Sequence, residues 1–132
     1  MTEKTIFEKI IAREIPADIV YEDDISVAFL DINPVTKGHT LLISKEPYPW
    51  MTDVPDEVLG ELFIRAKKLM NLMRVALDVD LIQVHVYGKE VPHFHIHLIP
   101  RLITDSATNF SHVTYDTDSE KQTYIDLIKN AL

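Results

Sequence analysis

The sequence predicts an α+β domain with an antiparallel five-stranded sheet, one long helix and two shorter ones. Three observations carry that expectation. Three stretches rich in β-branched and aromatic residues come early in the chain and two more come late. A long apolar repeat of helical period separates the two groups. At 132 residues with 46% apolar and 26% charged residues, the chain is long enough for one core and short for two, so residues 1–132 are read as a single domain.

The first element is "TIFEKIIAREIP", where Ile6, Phe7, Ile10 and Ile11 recur at helical spacing before Pro16 stops the pattern. "DIVYEDD", "SVAFLDI" and "HTLLISK" follow as strands, and "EDD" and "NPVTKG" between them have turn chemistry, which predicts a three-strand meander. From Asp56 to Leu77, residues Leu59, Leu62, Phe63, Ala66, Leu69, Met70 and Met73 hold a 3.6 period, while Lys67, Lys68 and Arg74 fall on the solvent side. This is the long helix. "LIQVHVY" and "HFHIHLIP" are the two late strands, and Thr117 stands three residues before Glu120 at capping-box spacing, opening a closing helix. Strands, then a helix, then strands favour an antiparallel α+β arrangement.

Composition excludes several classes of function. A formal net charge of −8 leaves no broad basic surface, so duplex nucleic acid is not an expected partner and any anion must be held locally. With no cysteine, disulfides, thiolate zinc sites and a cysteine nucleophile are excluded. The N-terminal stretch carries Glu3, Lys4, Glu8 and Lys9, and no run approaches the roughly 20 apolar residues of a membrane helix. The expectation is a soluble cytoplasmic protein with no membrane partner.

"VPHFHIHLIPR", residues 91–101, sets His93, His95 and His97 at every second position. In an extended strand these three share one face and Phe94, Ile96 and Leu98 the other, so the apolar side should meet the core and the histidine row should face out. A polar strand face would be served as well by Thr, Lys or Glu. A metal site is the second reading. Zinc–nitrogen bonds are about 2.0 to 2.1 Å, whereas His93 and His97 would stand about 13 to 14 Å apart along a strand, so two adjacent members could chelate but three would have to lean inward. The third reading is catalytic: imidazole is a nucleophile at phosphorus and an acid or base near neutral pH, and the row offers one ring to attack with a neighbour on each side. Upstream, "FLDINPVTKGHTLLI" adds Asp31 and His39, where Asp-Ile-Asn-Pro is by itself a turn signal.

The triad, together with "IFEKIIAREIPADIVYEDDISVAFLDINPVTKGHTLLISK" before it, resembles the Hint-like branch of the histidine-triad superfamily over nearly the whole chain. The resemblance implies hydrolysis of a purine nucleoside phosphoramidate or similar nucleotidyl conjugate through a nucleotidyl-histidine. His95 would be the nucleophile, and His93 and His97 would hold non-bridging oxygens and protonate the departing group. His39 matches the fourth active-site histidine, and Asp31, eight residues before it, would bind the ribose hydroxyls. Phe7, Ile10, Ile15, Phe29 and Ile32 match the slot for the base. A positive imidazolium cluster would supply the anion affinity that the net charge does not. The resemblance also implies a twofold homodimer.

Departures from the family shape the rest of the expectation. Thr5 and Glu8 stand where many members have zinc-binding cysteines, so no metal and no cofactor is expected. The segment "HVYGKEVPH" is shorter than the usual glycine-rich loop, its usual Asn has no counterpart unless His85 substitutes, and Lys89 and Glu90 lie where Gln and a hydroxyl residue are common. Glu90 is the residue read as facing the leaving group, where it would disfavour a polyphosphate; Lys89 is the competing choice. Ser44 replaces a proline, His112 falls in a polar loop and is expected to be solvated, and Trp50 packs or lines an interface. Two other functions remain beside the phosphoramidate hydrolase: a dinucleoside polyphosphate hydrolase, and a nucleotide-binding regulatory module with little turnover.

Overall fold

A computed structural model of the chain describes residues 4–106 and 108–132. The first helix, α1 (Ile6–Ile11), starts at a reciprocal cap in which Thr5 accepts from the Glu8 amide and the Glu8 carboxylate accepts from the Thr5 amide. It ends well before Pro16, because Arg13 turns into the left-handed region at φ 61° and its guanidinium pairs with Glu22.

The meander follows as β1 (Ile19–Glu22), β2 (Ser26–Leu30) and β3 (Thr40–Ser44). Asp23 shapes the first turn by accepting from the Ile25 and Ser26 amides, and Arg65 of the long helix α2 (Asp56–Ala76) binds it at 2.5 Å, tying sheet to helix. A short 3₁₀ turn, Met51–Asp53, precedes α2. The late strands β4 (Leu81–His85) and β5 (His95–Arg101) are shorter at the 86–94 side than expected, and α3 (Asp118–Ala131) closes the chain. At the start of α3, Thr117 accepts from the Glu120 amide as expected, but the Glu120 carboxylate accepts from the Asp116 amide rather than from Thr117.

The strand order is β1-β2-β3-β5-β4, and every neighbouring pair is antiparallel. One face packs Leu42, Ile96 and Leu98 against Leu62, Leu69 and Met73 of α2 and Ile125 and Ile128 of α3. Phe94 joins this core, as the alternation of β5 requires. The other face carries a second cluster, in which Phe7 and Ile10 of α1 cover Val27, Phe29, Leu41 and Ile43. Burying each of these large side chains is worth about 1.5 to 3 kcal/mol, so α1 is held by its apolar face despite its length.

That second cluster corrects the expectation of an outward-facing histidine row. His93 is 0% exposed and His95 is 3% exposed, while His97 is half-buried. The Phe7 ring meets His95 edge-on at 5.0 Å and His93 at 5.9 Å between centroids, so α1 roofs the row that alternation alone assigned to solvent. The row is also not one continuous strand, since His93 precedes β5.

Between β5 and α3 the chain forms a strap back across the sheet. Arg101 donates to the Asn109 carbonyl, the Val113 amide donates to the Pro34 carbonyl, and the Gly38 amide donates to the Tyr115 hydroxyl. With Thr36 donating to the Pro100 carbonyl and Lys37 paired to Glu120, these contacts fix the turn that delivers His39 to β3. Gly38 lies at φ 91°, and a Cβ there would come 2.8 Å from Leu77 Cδ1. No helix among the described residues is long and apolar enough to cross a membrane.

Candidate active site

The sheet register builds the site. On β5, His97 stands opposite Leu41 of β3 on one side and His85 of β4 on the other, and His95 stands opposite Ile43. The ring centroids of His95 and His97 are 5.0 Å apart, those of His39 and His97 5.1 Å, and those of His85 and His97 5.4 Å. Four histidines from two strands and a turn therefore meet on one face.

Hydrogen bonds to backbone decide which ring nitrogens hold protons. His95 Nδ1 lies 2.6 Å from the His93 carbonyl, which only accepts, so the proton of a neutral His95 sits on Nδ1 and the lone pair on Nε2. His93 Nε2 donates in the same way to the Ser44 carbonyl at 2.6 Å, while its buried Nδ1 has no partner among the described residues. The Val35 amide donates to His39 Nδ1 at 3.0 Å, which puts the His39 proton on Nε2, and Nε2 donates to His97 Nδ1 at 2.9 Å. His97 must then carry its own proton on Nε2. Three backbone groups thus set the tautomers of the site.

Electrostatics correct a second expectation. Burial pushes His39 down to about 3, with His97 next in effect, and burial followed by His95 and His85 pushes His97 down to about 4. His93 is also lowered, chiefly by burial. These rings are neutral near pH 7, so the resting site is no cluster of imidazolium cations: charging them in a closed site costs solvation, and each opposes the next. Arg101, buried with Gln83 and the Asn109 carbonyl as partners and the Phe110 ring beneath it, supplies a permanent positive charge nearby. Asp31 accepts from the Asn33 amide at 2.8 Å and lies 3.6 Å from His39 Nε2; burial raises its carboxyl above the usual range, and the Asn33 hydrogen bond, His112 and His95 oppose this.

The other expected residues divide. Phe7, Ile10 and Phe29 are buried core, Ile15 packs half-buried beside them, and Ile32 is 81% exposed and outside their cluster. Ile32 follows Asp31 at the rim of a shallow cleft with Pro34 and Tyr115. Lys89 and Glu90 are both exposed. Trp50 rests its ring on the buried Gly88, which turns the shortened loop at φ 86°. His112 is exposed as expected, and its Nδ1 donates to the Asn33 carbonyl at 2.7 Å. Sequence reasoning passed over Arg101, Phe110 and the full meaning of His85, and the signal it had was the alternation that puts His85 on the triad side of β4.

One trio could hold a metal on distance alone, since donor atoms of Asp31, His39 and His97 lie within 4.8 Å of one another. Its chemistry does not fit. A ligand nitrogen needs a free lone pair, yet His39 Nε2 bears the proton because Val35 occupies Nδ1; binding would strand a buried amide or require an imidazolate.

Such a histidine-lined antiparallel sheet defines a class of proteins. The HIT domain pattern matches residues 12–103. The chain is 40% identical over 105 residues to the purine nucleoside phosphoramidase of Escherichia coli strain K12, covering 75% of this chain and 88% of that one. A Hit-like protein from Bartonella henselae, described as involved in cell-cycle regulation, superposes with a TM-score of 0.86 at 31% identity over 100% of this chain and 99% of its own. A zinc-bound histidine triad family protein from Mycobacterium smegmatis gives 0.81 at 25% identity, over 95% and 93% of the two chains. The protein belongs to the HIT family.

Proposed function

We propose that the protein hydrolyses a nucleoside 5′-phosphate conjugate, a purine nucleoside phosphoramidate foremost, through a nucleotidyl group carried on His95. The observation that carries this reading is the His95–His93 hydrogen bond, which leaves a lone pair on His95 Nε2 among three other histidines. The His95 nitrogen attacks the α-phosphorus, the bond to the leaving group breaks, and water then releases the nucleoside monophosphate. His97, neutral with its proton on Nε2, donates a hydrogen bond to a non-bridging oxygen, where charge develops. His93 acts through its carbonyl, holding His95 in the attacking tautomer. Asp31, with one oxygen on Asn33, accepts from the ribose hydroxyls, and the apolar cluster around Phe7 and Phe29 backs the base slot with Ile15 at its edge. The E. coli relative's name supports the substrate class.

Glu90 is exposed at the end of the shortened loop three residues before His93, and a carboxylate there favours leaving groups of low charge over polyphosphates. We read the assembly as a twofold homodimer through the β4 edge and α2, where Leu81, Val84, Ile64 and Val75 are exposed apolar residues. The deciding experiment is His95→Ala with an adenosine phosphoramidate. Turnover should vanish, nucleotide affinity should stay within about tenfold, and acid quench of the wild type should trap a nucleotidyl-protein. Near-normal turnover by the variant would end the covalent mechanism.

A further inference from the structure

We propose that His85 is the catalytic residue that delivers the proton to the leaving group, an inference that rests on the hydrolase reading above. Most protons within the histidine cluster are fixed in place. His95 keeps its Nδ1 proton on the His93 carbonyl and must attack with Nε2. His39 has both nitrogens committed, to the Val35 amide and to His97. His97 accepts at Nδ1 from His39, so it cannot gain a second proton without facing N–H against N–H. His93 is fully buried beneath Phe7. Each is therefore a fixed donor or a fixed nucleophile, and none is free to cycle a proton.

His85 differs on every count. Neither of its nitrogens makes a hydrogen bond among the described residues, and its ring is half-buried rather than enclosed. It stands opposite His97 across the β4–β5 ladder, and it is held by ring contacts alone, to Phe110 at 5.1 Å and Tyr87 at 6.3 Å. Ring contacts position an imidazole without fixing where its proton sits.

Its side of the sheet is the appropriate one. Asp31, Phe29 and α1 lie toward β2 and β3, and β5 separates them from His85 on β4. A nucleoside seated over β2 and β3 with its phosphorus at His95 places its leaving group on the β4 side. There the His85 imidazolium gives its proton to the amine nitrogen as the P–N bond breaks. The electron pair of that bond leaves with the nitrogen, and the amine departs neutral. In the second step water attacks phosphorus, its proton passes to the now neutral His85, and the P–N bond to His95 returns its pair to Nε2. Both residues end as they began. Imidazole suits this exchange because the same ring can donate a proton in one step and accept one in the next.

The test varies the leaving group. First-turnover release is measured for adenosine 5′-phosphate joined to an alkylamine, which must be protonated to depart, and to 4-nitrophenol, which departs as an anion. In His85→Gln and His85→Asn, amine release should slow about a hundredfold or more while nitrophenolate release stays within about threefold of wild type. Equal losses for both leaving groups, or no loss for either, would overturn the assignment and leave the hydrolase reading intact. Failure of the wild type to release either group would instead overturn the hydrolase reading, and the role of His85 with it.

Discussion

His39 donates its one ring proton to His97, Nε2 to Nδ1 across 2.9 Å, and it does so because the Val35 amide holds the opposite nitrogen. The backbone of a turn thereby orients a proton two residues beyond His95, the proposed nucleophile.

Removing that link should be felt in both activity and stability. His39→Ala leaves the buried Val35 amide without an acceptor, a cost of about 1 to 3 kcal/mol, and frees His97 to turn its proton away from the phosphate. Loss of one such donor lowers kcat by about 10² to 10³, so the variant should lose more than tenfold but less than His97→Phe. Urea unfolding and steady-state turnover of the pair check this; an unchanged kcat would detach His39 from the chemistry.

Stability should fall with acid from above pH 6 downward. His39 and His97 titrate near 3 and 4 in the folded chain but near 6.5 when unfolded, so below that value the unfolded state binds protons the folded state refuses. Their contribution is complete above about pH 6.5 and declines as the pH falls toward 4, by at most about 1.4 kcal/mol per pH unit for each ring. The raised carboxyl of Asp31 works in the opposite direction. Urea midpoints at pH 7.5, 6 and 5 should drop steadily, and less in His39→Gln; equal midpoints would show that the rings are not buried neutral.

Gly38→Ala tests the turn itself. The positive φ and the 2.8 Å approach to Leu77 should together cost about 1 to 3 kcal/mol, and the strain falls on the residue next to His39. A thermal melt and turnover should decline together. A variant as stable as wild type would mean that the turn yields easily.

Chelator should leave activity unchanged, because the only trio close enough among the described residues has its His39 lone pair committed. Dialysis against EDTA followed by metal analysis and assay makes the comparison. One zinc per chain, lost together with activity, would show that the Val35 bond gives way to a metal.

Sedimentation at micromolar concentration should give twice the chain mass, and a charge at Val84 on the exposed β4 edge should shift it toward the monomer. A monomeric wild type would remove the dimer.

How much of this was legible beforehand depends on the range of the interaction. Alternation placed Phe94, Ile96 and Leu98 in the core, and the helical repeat from Asp56 marked α2 almost to the residue, because both patterns are local. The roof over the histidines was not legible, since nothing in "TIFEKII" says which face of the sheet Phe7 will cover. Neither was the neutral state of His39 and His97, which burial imposes and spacing does not reveal. The exposure of Ile32 was not legible either, since spacing along β2 does not say how the Asp31–Asn33 turn presents the residue between them.

The strand order also sets a timetable. β5 lies between β3 and β4, so on the ribosome β3 waits with an open edge while α2 and β4 are made, and only then does its neighbour arrive. That late strand is the one bearing His95. An unfinished chain thus lacks His95, the proposed nucleophile, for as long as its sheet is open, and on that reading the first product of refolding should never precede protection of the β3 amides from exchange. The histidine row is complete only when the last seam of the sheet is sewn.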